Sequence, residues 1–267
     1  MPRPPIPLRY AEHGDRSAAP VVLLHGFPLN GAMWDEVVSA LSDRYRVVVP
    51  DLRGHGATEA PNGPYETVDY AADVVVLLDE LGIEQTAVVG LSMGGYVAIQ
   101  LMTRWPERLT AVVLADTMGH GDSEERKQAR AAQAAVIEQD GLGPFADLVM
   151  PRMFAPAVFA DRPQLVERFR QTILSQRPHA VIAALQGLAS RPDMLGPLAE
   201  VRLPTLVLVG SEDAATTPDD ARELARVIHD AELVVVEGAG HMSCWEDPNA
   251  FNAAVRDFLD RTVEPTK

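Results

Sequence analysis

Six short apolar runs alternate along the chain with longer helical patterns, and this alternation restricts the fold more than any other feature. Val21–Leu24, Val47–Val49, Thr86–Val89, Ala111–Leu114, Thr205–Val209 and Leu233–Val236 are rich in β-branched residues. They are apolar at consecutive rather than alternate positions, as strands covered on both faces must be. Helical patterns lie between them over about 31–42, 66–81, 94–104, 219–229 and 248–260. Strand–helix repetition of this kind implies crossover connections and a mostly parallel sheet with helices on both faces, an α/β architecture. Ile6–Tyr10 is read as an added antiparallel edge strand.

The rhythm breaks once. From Met118 to Pro197 no strand-like run occurs. Ser123–Gln139 is rich in Ala, Gln and charge, a strongly helical composition, and helical stretches follow near 143–150, 162–175 and 178–190. Pro151, Pro156, Pro163, Pro178 and Pro192 punctuate them, since proline starts or stops helices better than it continues them. The expectation is an α/β core formed by 1–117 and 198–267, interrupted by a helical insertion over 118–197. A chain of 267 residues suits one interrupted domain better than two independent ones. Glu264–Lys267 reads as a frayed end.

Charge and cysteine content narrow the possible partners. Lys and Arg number 23 against 38 Asp and Glu, a net charge of −15. Such a surface repels phosphate backbones and anionic lipid, which argues against nucleic-acid and membrane partners. It also favours small neutral substrates over highly charged ones. The single cysteine, Cys244, excludes an internal disulfide and any multi-cysteine metal site. Met1–Leu8 has no apolar core of a signal peptide, and apolar runs such as Val74–Leu78 are far shorter than the roughly 20 residues of a membrane helix. A cytoplasmic location is expected.

Chemistry concentrates in three places, each just after a strand. Gly90-Leu91-Ser92-Met93-Gly94 is a G-x-S-x-G motif between the strand at Thr86–Val89 and the helix from Gly94. A serine on so sharp a turn exposes its hydroxyl at the sheet edge, and Gly90, Gly94 and Gly95 are required because Cβ atoms would clash there. The plain alternative is a glycine-rich turn with an incidental serine. A serine nucleophile needs a base, and His241 follows the strand at Leu233–Val236 in a Gly-Ala-Gly-His turn. The acid is Asp213, after the strand at Thr205–Val209, with Asp116 as the fallback and Glu212 as its neighbour. The order Ser92, Asp213, His241 is the one this turn type uses. His25 and His55, in His-Gly turns, are read as shaping loops. An oxyanion would be received by the backbone N–H of Met93, the residue after the serine, and of Phe27 in His25-Gly26-Phe27-Pro28, because Pro28 has no N–H.

These motifs together resemble the α/β-hydrolase superfamily. The similarity rests on His25-Gly26-Phe27-Pro28, Asp51-Leu52-Arg53-Gly54-His55-Gly56, Gly90–Gly95, Gly210-Ser211-Glu212-Asp213 and Gly240-His241, and spans nearly the whole chain. Gly63-Pro64-Tyr65, Leu81-Gly82-Ile83-Glu84, Gly90-Leu91-Ser92-Met93-Gly94-Gly95 and Gly240-His241-Met242-Ser243 are most similar to 3-oxoadipate enol-lactonase-like hydrolases and small carboxylesterases. Cys244-Trp245 departs from that pattern, which has a polar or small pair. The resemblance implies that the helical insertion is a cap over the site, and that the Asp51–Gly56 loop is structural.

The reaction so implied is cleavage of a small carboxylic ester or lactone through an acyl-enzyme, with no metal and no organic cofactor. A cofactor-free perhydrolase or C–C bond hydrolase would use the same Ser92, Asp213 and His241. A non-catalytic ligand-binding protein could retain the fold but would have no need of them. Leu29, Trp34, Met118, Met150, Met153 and Phe154 are candidates to line an apolar pocket. Arg126, Arg130 or Arg152 could pair with one substrate carboxylate.

Overall fold

The computed structural model describes residues 3–263, so the frayed end expected at Glu264–Lys267 lies outside the described residues. Its strands are β1 (Arg9–His13), β2 (Pro20–Leu24), β3 (Arg46–Asp51), β4 (Thr86–Leu91), β5 (Leu109–Ala115), β6 (Thr205–Gly210) and β7 (Glu232–Val236). They form a sheet in the order β1-β3-β2-β4-β5-β6-β7. β1 runs antiparallel to β3, and the remaining pairs are parallel.

Side chains leave the strands alternately towards two cores. Val21, Leu23, Val47, Val49, Val89, Val113 and Leu208 face one, while Val22, Leu24, Val48, Val88, Val112, Val207 and Val209 face the other. Both cores are buried and apolar, which is why the strands are apolar at every position. The first face is covered by α1 (Asp35–Leu41), the single turn α11 (Ser243–Glu246) and α12 (Pro248–Thr262), through Val37, Trp245, Phe251 and Val255. The second is covered by α2 (Thr67–Glu80), α3 (Met93–Arg104) and α10 (Pro218–Val227), through Tyr70, Val74, Val97, Leu101 and Leu224.

Between β5 and β6 the chain is helical throughout its regular elements. These are α4 (Glu124–Asp140), α5 (Leu142–Val149), α6 (Pro156–Asp161), α7 (Pro163–Leu174), α8 (Pro178–Ala189) and the single turn α9 (Leu195–Leu198). Four of the six begin on or beside a proline or glycine that the sequence placed there: Gly141, Pro156, Pro163 and Pro178. α4 packs on α8 and α5, and α5 packs on α7.

The edge strand lies further along than Ile6–Tyr10. Pairing begins at Arg9↔Asp51 and ends at His13↔Val47. Pro7 cannot donate to a ladder, and the Ile6 N–H instead binds the Asp73 carboxylate at 2.8 Å. Asp73 also holds Arg53, with Nε–Oδ2 and Nη2–Oδ1 both at 2.6 Å and both side chains almost wholly buried. This fork ties the loop after β3 to α2. Asp73→Ala should therefore leave a buried guanidinium uncompensated and lower stability by about 3–5 kcal/mol, read as a fall in the urea unfolding midpoint.

Candidate active site

Ser92 sits at the junction of β4 and α3 with φ 54° and ψ −111°, a conformation that L-residues avoid. Such backbone costs on the order of 1–3 kcal/mol and persists only where the surroundings enforce it. They do so here. A Cβ on Gly94 would lie 2.0 Å from the Leu24 carbonyl oxygen, and one on Gly90 would lie 2.3 Å from the Gly94 oxygen. The missing side chains let α3 start almost in contact with β2. The Ser92 N–H then donates to the Ala115 carbonyl at 2.9 Å, and Thr117 Oγ1 donates to the Ser92 carbonyl at 2.9 Å.

The structure brings the three expected side chains together. Ser92 Oγ lies 2.9 Å from His241 Nε2, and His241 Nδ1 lies 2.8 Å from Asp213 Oδ2. With its proton on Nδ1 donated to Asp213, the imidazole presents a lone pair on Nε2 to the serine hydroxyl. Asp213 is fixed by its own turn, where Oδ1 accepts the N–H groups of Ala215 at 2.7 Å and Thr216 at 2.9 Å. The Thr216 hydroxyl donates to Oδ2 at 2.7 Å. Sequence reasoning passed over Thr216, although an oxygen-bearing residue three places after an aspartate is a recognisable turn signal.

Electrostatics follow from these contacts. Burial pushes the Asp213 carboxyl up, but the His241 charge and the hydrogen bonds outweigh it, and the pKa falls below the usual carboxylate value. Burial pulls the His241 imidazole down, but Asp213 outweighs that effect and holds it above the usual histidine value. Asp116, the fallback acid, is buried nearby, and its hydrogen bonds go elsewhere than to the imidazole. Its Oδ1 accepts the Gly210 N–H at 2.9 Å and its Oδ2 lies 2.5 Å from Ser243 Oγ.

The Phe27 and Met93 N–H groups have no hydrogen-bond acceptor among the described residues. Met93 is the first residue of α3, where the N–H has no intrahelical partner, and Phe27 follows β2 beside it. His25 and His55 lie beneath. His25 Nε2 accepts the Leu52 N–H at 2.9 Å, and its Nδ1 lies 3.0 Å from the Gly26 carbonyl. The two rings pack edge to face at 5.1 Å. Burial lowers the His25 pKa to about 4, and burial with the neighbouring His25 lowers His55 to about 3.

A cavity of about 410 Å³ opens over Ser92 and His241. Of the six candidate pocket residues, Met118 and Met153 line it, and Leu29, Trp34, Met150 and Phe154 do not. Leu29 and Trp34 are buried beneath the sheet edge, where Trp34 packs on Phe251, and Phe154 packs on Phe169. Met150 is buried away from the opening. In their place stand Tyr96, Phe145, Leu148, Val149 and Leu188, which carry no motif. Cys244 and Trp245 are core residues, the indole N–H donating to the Met33 carbonyl at 2.8 Å, so their departure from the family pattern lies off the cavity wall.

The helical segment is tied directly to the histidine turn. Glu246 accepts the Ala155 N–H at 2.9 Å and the Met242 N–H at 3.2 Å. Met242 in turn donates to the Met153 carbonyl at 3.1 Å, and a Cβ on Gly240 would come within 2.4 Å of the Ala155 nitrogen. Among the described residues no group of three or more His, Cys, Asp or Glu is arranged to hold a metal ion, and no helix is long and apolar enough to cross a membrane.

A family model described as alpha/beta hydrolase fold matches residues 19–248, and the chain belongs to that family. It is 32% identical to 3-oxoadipate enol-lactonase 2 of Acinetobacter baylyi, over 96% of this chain and 94% of the relative. A thermophilic esterase from Thermogutta terrifontis, solved with malate bound, superposes with a TM-score of 0.92 at 37% identity, over 96% of this chain and 94% of that one. A bromoperoxidase from Bacillus anthracis superposes with a TM-score of 0.84 at 26% identity, over 95% of each chain.

A histidine titration followed by NMR should give His241 a midpoint above 6.5, while His25 and His55 stay neutral down to about 4 and about 3 respectively. An unshifted or lowered His241 midpoint would contradict the Asp213 pairing described above.

Proposed function

We propose that this protein is a serine hydrolase that cleaves a small carboxylic ester or lactone through an acyl-enzyme. The observation that carries this reading is the unbroken chain of hydrogen bonds from Ser92 Oγ through His241 to Asp213, at 2.9 and 2.8 Å, on the floor of an apolar cavity. Ser92 Oγ attacks the acyl carbonyl while His241 Nε2 takes its proton. Asp213 holds the tautomer and stabilises the imidazolium. The unpaired N–H groups of Phe27 and Met93 receive the oxyanion, each contributing about 3–4 kcal/mol to the transition state. His241 then returns the proton to the departing alcohol or enol oxygen, and water cleaves the acyl-enzyme by the reverse sequence. In this reading residues 118–197 form a cap whose α4, α5 and α8 close the cavity and select the substrate.

The cavity also refines the substrate. Arg126 and Arg152 line it and form no carboxylate pair among the described residues, whereas Arg130 is taken up by Asp122. Arg126 donates to Met118 Sδ at 3.1 Å and the Ala215 carbonyl at 3.3 Å, and Arg152 donates to the Ala214 carbonyl at 2.7 Å. These are neutral acceptors, and a substrate carboxylate is a stronger one. The local charge of the cavity is thus opposite in sign to the chain's net −15, and it favours acyl compounds with a second, anionic end over the neutral ones that net charge alone suggests. The malate in the Thermogutta esterase is a dicarboxylate, which fits this reading.

A panel of esters and lactones, with and without a distal carboxylate, tests these points against Ser92→Ala. That variant should lose turnover while remaining folded; turnover at the wild-type rate would sink the mechanism. Asp213→Asn should lower kcat on the order of 10⁴-fold by leaving the wrong tautomer. The base must be neutral to accept a proton, and its pKa is raised, so kcat/KM should fall on acidification with a midpoint above pH 6.5. Arg126→Ala and Arg152→Ala should raise KM for carboxylate-bearing substrates and leave neutral esters unaffected. Perhydrolysis, which the bromoperoxidase likeness supports, would appear instead as peroxide- and acetate-dependent halogenation.

A further inference from the structure

The end of β5 carries a buried carboxylate that the chemistry above does not use. Asp116 has φ 45°, in the left-handed region that non-glycine residues rarely occupy, and its side chain is wholly buried. That backbone turns the carboxyl group sideways along the sheet edge, where it reaches two neighbouring turns at once. Oδ1 accepts the N–H of Gly210, three residues before Asp213, at 2.9 Å. Oδ2 lies 2.5 Å from the hydroxyl of Ser243, two residues after His241. Its own N–H donates to the Leu208 carbonyl at 2.8 Å, which locks the residue to β6. The flanking residues hold the third turn, with the Ala115 carbonyl accepting from Ser92 N–H and Thr117 Oγ1 donating to the Ser92 carbonyl, both at 2.9 Å. Residues 115–117 therefore touch all three turns that carry the reacting groups.

We propose that Asp116 is a positioning residue that brackets the Asp213 turn and the His241 turn, setting their register to each other and to Ser92. The inference rests on Ser92, Asp213 and His241 being the reacting groups. Asp116 has no arginine or lysine partner among the described residues. The charged groups that face it are Asp213 and His241, with the Cys244 thiol close by. Burial, and then the charge of Asp213, push its pKa well above the usual carboxylate value. Its work is that of a hydrogen-bonding group, with Oδ1 accepting from the Gly210 N–H and Oδ2 bonded to the Ser243 hydroxyl. An asparagine offers the same pair of bonds, with Oδ1 accepting and Nδ2 donating to Ser243 Oγ, whereas an alanine offers neither.

The test compares wild type, Asp116→Asn, Asp116→Ala and Ser243→Ala on a short activated ester, with the pH profile of kcat/KM and an NMR titration of His241 for each. Asp116→Ala should lower kcat by about 10²-fold with KM changed less than about twofold, as misplacement of reacting groups by an ångström does. Its acid limb and its His241 midpoint should both move to lower pH, because a slackened His241–Asp213 bond no longer favours the imidazolium. Asp116→Asn should restore kcat, the acid limb and the midpoint nearly to wild type. Unchanged kcat and acid limb in Asp116→Ala would overturn the proposal, as would an Asp116→Asn as impaired as the alanine. If Asp116→Ala fails to fold, Ser243→Ala removes one arm of the bracket and should shift kcat and the His241 midpoint in the same directions; no shift overturns the proposal. Were Ser92→Ala still to turn over substrate, the reading of the reacting groups would fail, and the His241 midpoint would still decide whether Asp116 brackets the two turns.

Discussion

The upper edge of the sheet depends on how closely α3 approaches β2. A methyl group on Gly94 would overlap the Leu24 carbonyl, 2.0 Å away, so the helix can start where it does only because that atom is missing. The approach forces the chain between β4 and α3 through the left-handed conformation of Ser92. The strain is small beside what seats the helix. Every residue from Met93 to Met102 is buried, and Val97, Leu101 and Met102 are part of one core. A core of this size offsets a few kcal/mol of backbone strain, and the strain in turn lifts one hydroxyl clear of the sheet.

A second constraint divides the labour between two buried carboxylates that share one imidazole's surroundings. Like charges in close quarters cannot both stay ionised, and their partners decide which does. Asp213 has two backbone N–H groups, a hydroxyl and the imidazole, whereas Asp116 has one N–H and one hydroxyl. The group with more partners, Asp213, is held below the usual carboxylate value, and Asp116 is pushed well above it. The strands after which they sit are neighbours in the sheet, so the difference arises from turn geometry rather than from depth in the fold.

What could be read from sequence was local in origin. Strand pattern, helix-starting prolines and the glycines around Ser92 act within a few residues, and each appears where the local rules place it. Asp213 and His241 were legible because each directly follows a strand, and parallel strands bring their ends to one edge. The cavity wall was not legible, because it is made by long-range packing. Trp34 resembles a pocket residue in composition, yet Phe251, more than two hundred positions away, claims its face. Leu148, on α5, resembles an ordinary core leucine but ends at the cavity, half exposed. β1 was displaced for a similar reason: its exposed, polar sequence carries little signal, and its register is set by β3.

The bridge through Glu246 bears on how such a protein can change over evolutionary time. Helices between β5 and β6 are the natural place for a hydrolase to vary, since their substitution leaves the sheet intact. Here the backbone of residues 153–155 is bonded to the Glu246 carboxylate and the Met242 N–H, and it packs against Gly240, all within the stretch 240–246 that includes His241. The helical segment is thus not an interchangeable part. A graft taken from a relative would inherit the donor's fit to that turn, so exchange of the whole segment disturbs the surroundings of His241 more than point changes along α4 and α5 do.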